Sequence, residues 1–318
     1  MVYPIDASLG GYATAGLSGT YIPEIWSGKL IEKFYLATVF AAISNTDYEG
    51  EISAYGDKVQ IRTVPDITIS DYEVGKSLNY EKPQSDNVEL LIDKGKYYGV
   101  AINSVEQKQA DIDYVGKWAE DASEQMKIKI DQGILADIYS DVHASNNGAT
   151  AGAITSSVDL GTTGTNGGSA ESLTNGNIVD KMVECGQVLT EQNVPQTNRW
   201  FVVPAWASSR IKTSELSEAS YSGDGVSMRR NGRIGVIDSF ELFVSNNIAS
   251  EAEGTATLYH LLFGHKSALT FASQLTENEL IDNPDDFGKL MRGLQVYGYK
   301  VIKAESMGHL LAVPGAIT

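Results

Sequence analysis

The chain of 318 residues holds a single cysteine, Cys185, which excludes an internal disulfide framework. Cys185 shares a helical face with Ile178, Met182 and Leu189, so it reads as a small core residue in a reducing interior. Basic residues are scarce: 24 Lys and Arg stand against 41 Asp and Glu, a net charge of −17. So acidic a surface is repelled by phosphate backbones, which excludes tight nucleic-acid binding over a broad face and leaves room only for local basic patches. Apolar runs are short. None approaches the roughly eighteen residues that a membrane-spanning helix needs, and residues 1–24 show neither a basic leader nor an apolar core, so no secretory signal is expected. Proline is rare, and none interrupts residues 111–144.

Enough apolar material remains for a folded protein, 42% hydrophobic against 20% charged, in one large domain or two to three smaller ones. Residues 1–20, rich in Gly, Ala, Ser and Thr, read as an arm with little to bury. Trp26, Leu30 and Phe34 then share the face of a short helix that starts near Pro23, and residues 36–43 are expected to be buried. From Lys58 the pattern is that of strands: Val59, Ile61, Ile67 and Ile69 on the way out, then Val88, Leu90, Ile92, Tyr98, Val100 and Ile102 on the return. Pro65, Gly75, Pro83 and Gly95 cut the run, as in a long exposed hairpin whose half-apolar face needs a partner. A helix is predicted from Asp111 to Ala144, with Asn103 and Glu106 as a weak capping box upstream. It would be roughly 50 Å long. Its apolar residues, Val115, Trp118, Ala122, Met126, Ile130, Ile134 and Ile138, form a winding stripe suited to lie across a twisted sheet. A protruding hairpin and so long a helix cannot share one compact core. Neighbouring copies of the chain would have to cover them.

Residues 148–177 are small and polar and predict a surface connection with at most one strand. Beyond it helix and strand patterns alternate: a helix over 177–193, a buried strand over 199–204, a second helix from Ala205, a tight turn at Asn231-Gly232, and strands over 232–246, 259–264, 267–275 and 295–306.

The search for chemistry leaves no enzyme. Gly75-Lys76-Ser77 ends like a phosphate loop, but Ser70 stands where the first glycine belongs. Gly161, Gly164, Gly167 and Gly168 do not match a dinucleotide fingerprint. His143, His260, His265 and His309 lack the spacing of a zinc helix, and no serine sits in a Gly-x-Ser-x-Gly turn. Asp282, Asp285 and Asp286 make either a solvated turn or a calcium site. Arg229, Arg230 and Arg233 make either a solvated loop or a contact to an acidic patch on a neighbour. No catalytic residue, cofactor or metal is assigned.

Several phrases resemble the major capsid (coat) proteins of tailed bacteriophages, with the Hong Kong-type coat fold. They are PEIWSGKLIEKFYLATVFAAISNTDYEGEI, GDKVQIRTVPDITISDY, KGKYYGVAINSVEQKQAD followed by the long helix, EQNVPQTNRWFVVPAW, and GRIGVIDSFELFVSNN. The resemblance implies an α+β fold in five parts: an N-terminal arm (1–45), an extended β-hairpin loop (46–102), a peripheral domain with the spine helix (103–175), a mixed α/β axial domain (176–290), and a return strand of the peripheral domain (291–318). It implies hexamers and pentamers closing an icosahedral shell around double-stranded DNA in the virion, assembled in the host cytoplasm. A separate scaffolding protein, a portal and weak non-specific DNA contact come with it, with no membrane. Intersubunit contacts would involve Trp26, Ile67, Ile69, Lys76, Lys82, Arg229, Arg230 and Arg233. Some relatives weld subunits through a lysine; with no acceptor for Lys76 or Lys82 identifiable, no crosslink is expected. The alternatives are an encapsulin-type compartment shell and a surface-layer or carbohydrate-acting β-rich protein.

Overall fold

The computed structural model describes residues 38–47, 58–62, 65, 67–84, 87–104, 108, 114–164, 169–214, 235–284 and 286–315. Two sheets and a small ribbon organise them. The larger sheet has seven strands: β4 (Glu171–Leu173), β12 (Met307–Pro314), β9 (Ala256–His265), β5 (Arg199–Val203), β7 (Phe240–Val244) and β6 (Val236–Ile237) in spatial order, with β8 (Ser250–Glu253) also on β9. Pairings are antiparallel except β5 with β7 and β12 with β4. The second sheet has three long antiparallel strands, β10 (Leu269–Asp282), β11 (Gly288–Val301) and β3 (Lys94–Asn103). The ribbon is β1 (Lys58–Arg62) on β2 (Asn87–Leu91).

β5 shows why its sequence reads as one continuous apolar run: both faces are covered. Phe201 and Val203 face α3 (Ile178–Glu191) and α4 (Ala205–Thr213), in a core with Met182, Cys185, Leu189, Ile211, Phe240 and Phe263. Trp200 and Val202 face the other way, into a core with Ile130, Ile134 and Leu135 of α2 (Tyr114–Asp137). Phe271, Tyr297 and Val301 of the three-stranded sheet join that second core, as does Ile43 of α1 (Phe40–Ile43). Cys185 is fully buried, and burial pushes its thiol pKa far up; it is an inert packing residue.

Arg199 is the buried charge of this sheet, at 2% exposure. Its guanidinium donates to the carbonyls of Pro195, Gly186 and Val194 and to Thr190 Oγ1. It thereby ties Gly186 and Thr190 in the last turns of α3 to Val194 and Pro195 in the loop that follows, near a helix end whose dipole favours a cation. Charged hydrogen bonds of this kind contribute about 1.5–3 kcal/mol each, and Lys cannot reproduce the fork. Arg199→Met is therefore expected to lower unfolding free energy by about 3 kcal/mol or more in a urea titration, with Arg199→Lys recovering less than half.

Several expectations change. The long helix ends at Asp137 and spans roughly 36 Å. A 3-10 turn, Ile138–Asp141, follows, and Val142 is extended. Ile138 and Val142 stay buried, so the apolar spacing continues through a backbone that has left the α-helix. Ser140 Oγ donates to the Asp137 carbonyl and satisfies one group that the shortened helix leaves open. Upstream, Asn103 closes β3 and Ser104 is already helical; Glu106 lies outside the described residues.

The hairpin is also shorter than its pattern suggests. Among the described residues β1 and β2 pair from Lys58↔Leu91 to Arg62↔Asn87, and residues 67–84 form no strand. Tyr98, Val100 and Ile102 belong to β3, whose partner is β11. The partition at residue 290 differs too. β10 lies in the three-stranded sheet with β11, and β12 returns beside β9 in the seven-stranded sheet, because backbone pairing follows the β10–β11 hairpin rather than chain order. The polar connection holds one strand, β4, as expected, whereas of residues 38–43 only Val39 and Ile43 are buried, and the strand expected over 295–306 ends at Val301. The strand expected over 232–246 is the β6–β7 hairpin, whose Asp238 and Ser239 both take positive φ, as a two-residue primed turn requires. Asn231-Gly232 and the helix around Trp26 lie outside the described residues.

Candidate assembly surface

At the base of the ribbon, Ile61, Leu90 and Ile92 are buried with Ala272 of β10, so the ribbon is rooted on the three-stranded sheet. Beyond that root the chain leaves all cover. Ile67, Ile69, Tyr72, Val74, Leu78 and Tyr80 are exposed, Ile69 at 90% and Val74 at 93%. Local contacts shape the segment without burying it: Glu81 accepts from the Thr68 amide at 2.6 Å, and Lys76 lies 3.9 Å from Glu73. Gly75 takes φ +88° at the turn, a conformation that other residues adopt only with strain. Ile67, Ile69, Lys76 and Lys82 thus share one projecting segment. Trp26, Arg229, Arg230 and Arg233 lie outside the described residues.

α2 is covered unequally. Ile128, Ile130, Ile134 and Leu135 are buried, whereas Val115, Ala122 and Met126 are only half-buried and Trp118 is 40% exposed. The far end of the three-stranded sheet has the same character. Tyr97, Leu280 and Phe287 are exposed, and Tyr97, Tyr98 and Leu294 line a shallow hollow closed by the Arg292–Glu279 ion pair. Soluble monomers rarely leave several large apolar groups together in water; such patches mark interaction surfaces.

Two polar joints hold these parts in place, and neither has a sequence signature. Asp131, fully buried on α2, accepts from the backbone amides of Val39 and Phe40 at 3.0 and 2.9 Å and from Asn247 Nδ2 at 2.7 Å. Burial raises its carboxyl pKa above the usual range, and the three donors offset only part of that rise. One side chain therefore ties α1, α2 and the loop after β7 together. At the end of α2, Asp137 accepts from the Tyr299 hydroxyl and pairs with Lys94 at 3.3 Å. The Tyr299 hydrogen bond, helped by Lys94, holds the Asp137 carboxyl below its usual range.

The acidic turn has ordinary partners. Asp286 accepts from the Phe287 amide and from Asn103 Nδ2, and Asp282 pairs in register with Lys289. Asp285 lies outside the described residues, and among the described residues no cluster of His, Cys, Asp or Glu is arranged to hold a metal. No helix among them is long and apolar enough to cross a membrane.

No protein-family profile and no curated protein sequence matches the chain. Solved structures do. A chain from Mycobacterium phage Che8 superposes with a TM-score of 0.74 at 26% identity, covering 91% of this chain and 97% of that one. This is the fold of a tailed-phage capsid protein. The same capsid fold appears in the capsid of cyanophage P-SCSP1u, at TM-score 0.70 and 15% identity, covering 93% and 94% of the two chains. It appears again in the mature capsid of bacteriophage PhiM1, at TM-score 0.67 and 14% identity over 98% and 99%. Both sheets and α2 fall within the capsid fold, since these superpositions leave little of either chain aside.

Proposed function

We propose that this chain is the major capsid protein of a tailed phage, and that its copies form hexamers and pentamers closing an icosahedral shell around packaged double-stranded DNA. The observation that carries the reading is the projecting segment 67–84 on a chain with a phage-capsid fold. It presents six large apolar side chains and covers none of them. Burying a side chain of this size contributes roughly 1.5–3 kcal/mol, so draping the segment over a neighbour supplies on the order of 10 kcal/mol before the costs of association. Ile67 and Ile69 would carry the apolar part of that contact, with Lys76 and Lys82 set against acidic groups of the next copy. Trp26, Arg229, Arg230 and Arg233 are proposed as further contacts between copies.

The net charge of −17 suits a container that must hold DNA without gripping it, leaving only weak, non-specific contact with the genome. A separate scaffolding protein and a portal complete the proposed assembly, which takes place in the host cytoplasm, and the role is structural rather than enzymatic. The neighbours in structure are capsids of phages and of a gene transfer agent, which favours a virion shell over an encapsulin-type compartment or a surface-layer protein. Electron microscopy of the purified chain across salt and crowding conditions tests the proposal. Closed shells are expected; a species that stays monomeric under every condition would refute it.

A further inference from the structure

Where α2 gives way to its 3-10 turn, the turn is seated on a pair of histidines. His260 of β9 and His309 of β12 lie diagonally across the antiparallel pair, His309 Nε2 3.0 Å from His260 Nδ1, with their rings stacked. Tyr139 stacks on His260 with ring centroids 4.1 Å apart, and its hydroxyl donates to Glu251 of β8 at 3.4 Å. His260 Nε2 is buried with no hydrogen-bond partner, 3.7 Å from the same Glu251 carboxylate. We propose that His260 and His309 form an acid-released latch that fastens the end of α2 to the seven-stranded sheet.

The N–H···N bond exists when both rings are neutral, one donating and the other accepting. Charging both would set two imidazolium rings 3.0 Å apart between Tyr139 and the sheet. The ionisable groups around the pair are few. Glu251 faces it from β8 and Tyr139 from the 3-10 turn, while Asp137, at the end of α2, acts on Tyr139. Glu251 is half exposed, so it compensates one added charge incompletely and a second not at all. Burial, reinforced by the neighbouring ring, holds His309 down to about 3, and burial likewise lowers His260. A histidine whose folded pKa lies below its unfolded value leaves stability intact above the unfolded pKa, about 6.5. Stability is then lost as pH falls from there toward the folded value. The contact that pulls apart first is the one closed by the rings, the Tyr139 stack.

Hydrogen exchange on the full, unassembled chain, resolved to residues 138–142 and corrected for intrinsic rate, tests the latch. Protection there is expected to fall below pH 6.5 by up to about tenfold per pH unit for each ring that charges on opening, and so by up to about a hundredfold for the pair. In His309→Gln only His260 remains to charge, so the decline should be no steeper than about tenfold per unit, shallower than in the wild type. An equal decline in both proteins, or none in the wild type down to pH 4.5, overturns the proposal. Should His309→Gln fail to fold, imidazole titration of the wild type by NMR decides. Both rings staying neutral in the closed state to below pH 5 while exchange at residues 138–142 accelerates supports the latch, since the rings then charge on opening; either ring titrating near 6.5 with residues 138–142 still protected overturns it.

Discussion

Replacing residues 63–86 by an Asn-Gly turn is expected to leave a folded, soluble subunit that no longer closes shells. Arg62 and Asn87 are register partners at the open end of the ribbon, so a two-residue turn can join them without moving β1 or β2. The buried contacts of the root, Ile61, Leu90 and Ile92 on Ala272, remain. Thermal unfolding should therefore shift by only about 2 °C, since a loss well under 1 kcal/mol moves a domain of this size little. What disappears is the apolar surface offered to the neighbour, so sedimentation and electron microscopy should find capsomers or monomers. Normal particles would mean that the segment does not hold copies together. A narrower version, Ile69→Asp with Val74→Asp, should reproduce the defect while lengthening nothing and shortening nothing.

Asp131→Ala should be among the most damaging single substitutions. It strands two backbone amides and the Asn247 amide in a site that is closed to water. Each orphaned buried donor costs about 1–3 kcal/mol, so a loss on the order of 3–5 kcal/mol is expected. That is a large part of the stability of a typical domain. Asp131→Asn keeps one acceptor for the Val39 and Phe40 amides but turns an NH₂ toward Asn247, and should cost about half as much. Urea unfolding measures both. Equal, small effects would show that the junction is held by its apolar neighbours Ile43, Ile130 and Ile134 instead. Because the Asp131 bonds join segments far apart in sequence, the alanine variant should also loosen residues 39–43 in hydrogen exchange before global unfolding.

Much of this architecture is legible where burial dictates the residue pattern. α3 announces itself through Ile178, Met182, Cys185 and Leu189 at helical spacing, and β5 through five consecutive buried residues bounded by Pro204. The end of α2 is hidden because Ile138 and Val142 keep the apolar period after the backbone has changed course. Strand alternation at Ile67 and Ile69 cannot say whether a partner strand belongs to the same chain; among the described residues no strand pairs with them. β3 is read as the hairpin's return because its true partner, β11, lies far downstream. Asp131 looks like any charged residue of an exposed helix face, and Arg199 like a surface base preceding a strand. His260 and His309 meet only because β9 and β12 are neighbours. Their roles follow from three-dimensional company, which spacing along one chain does not encode.

The way the two sheets share the polypeptide has a mechanical consequence. β10 and β11 leave the larger sheet after β9 and return to it as β12, so they are an excursion between two adjacent strands. A third passage runs from α2 to β4. With three covalent tethers spread along their boundary, neither sheet can swivel about a single flexible link, and a protease nick in any one tether leaves the halves fastened. Torque applied to the three-stranded sheet must instead be passed as shear through the packed side chains of α2 to the sheet beyond. A shell built of such subunits would respond to internal pressure as a continuous lattice, each protomer deforming as one plate.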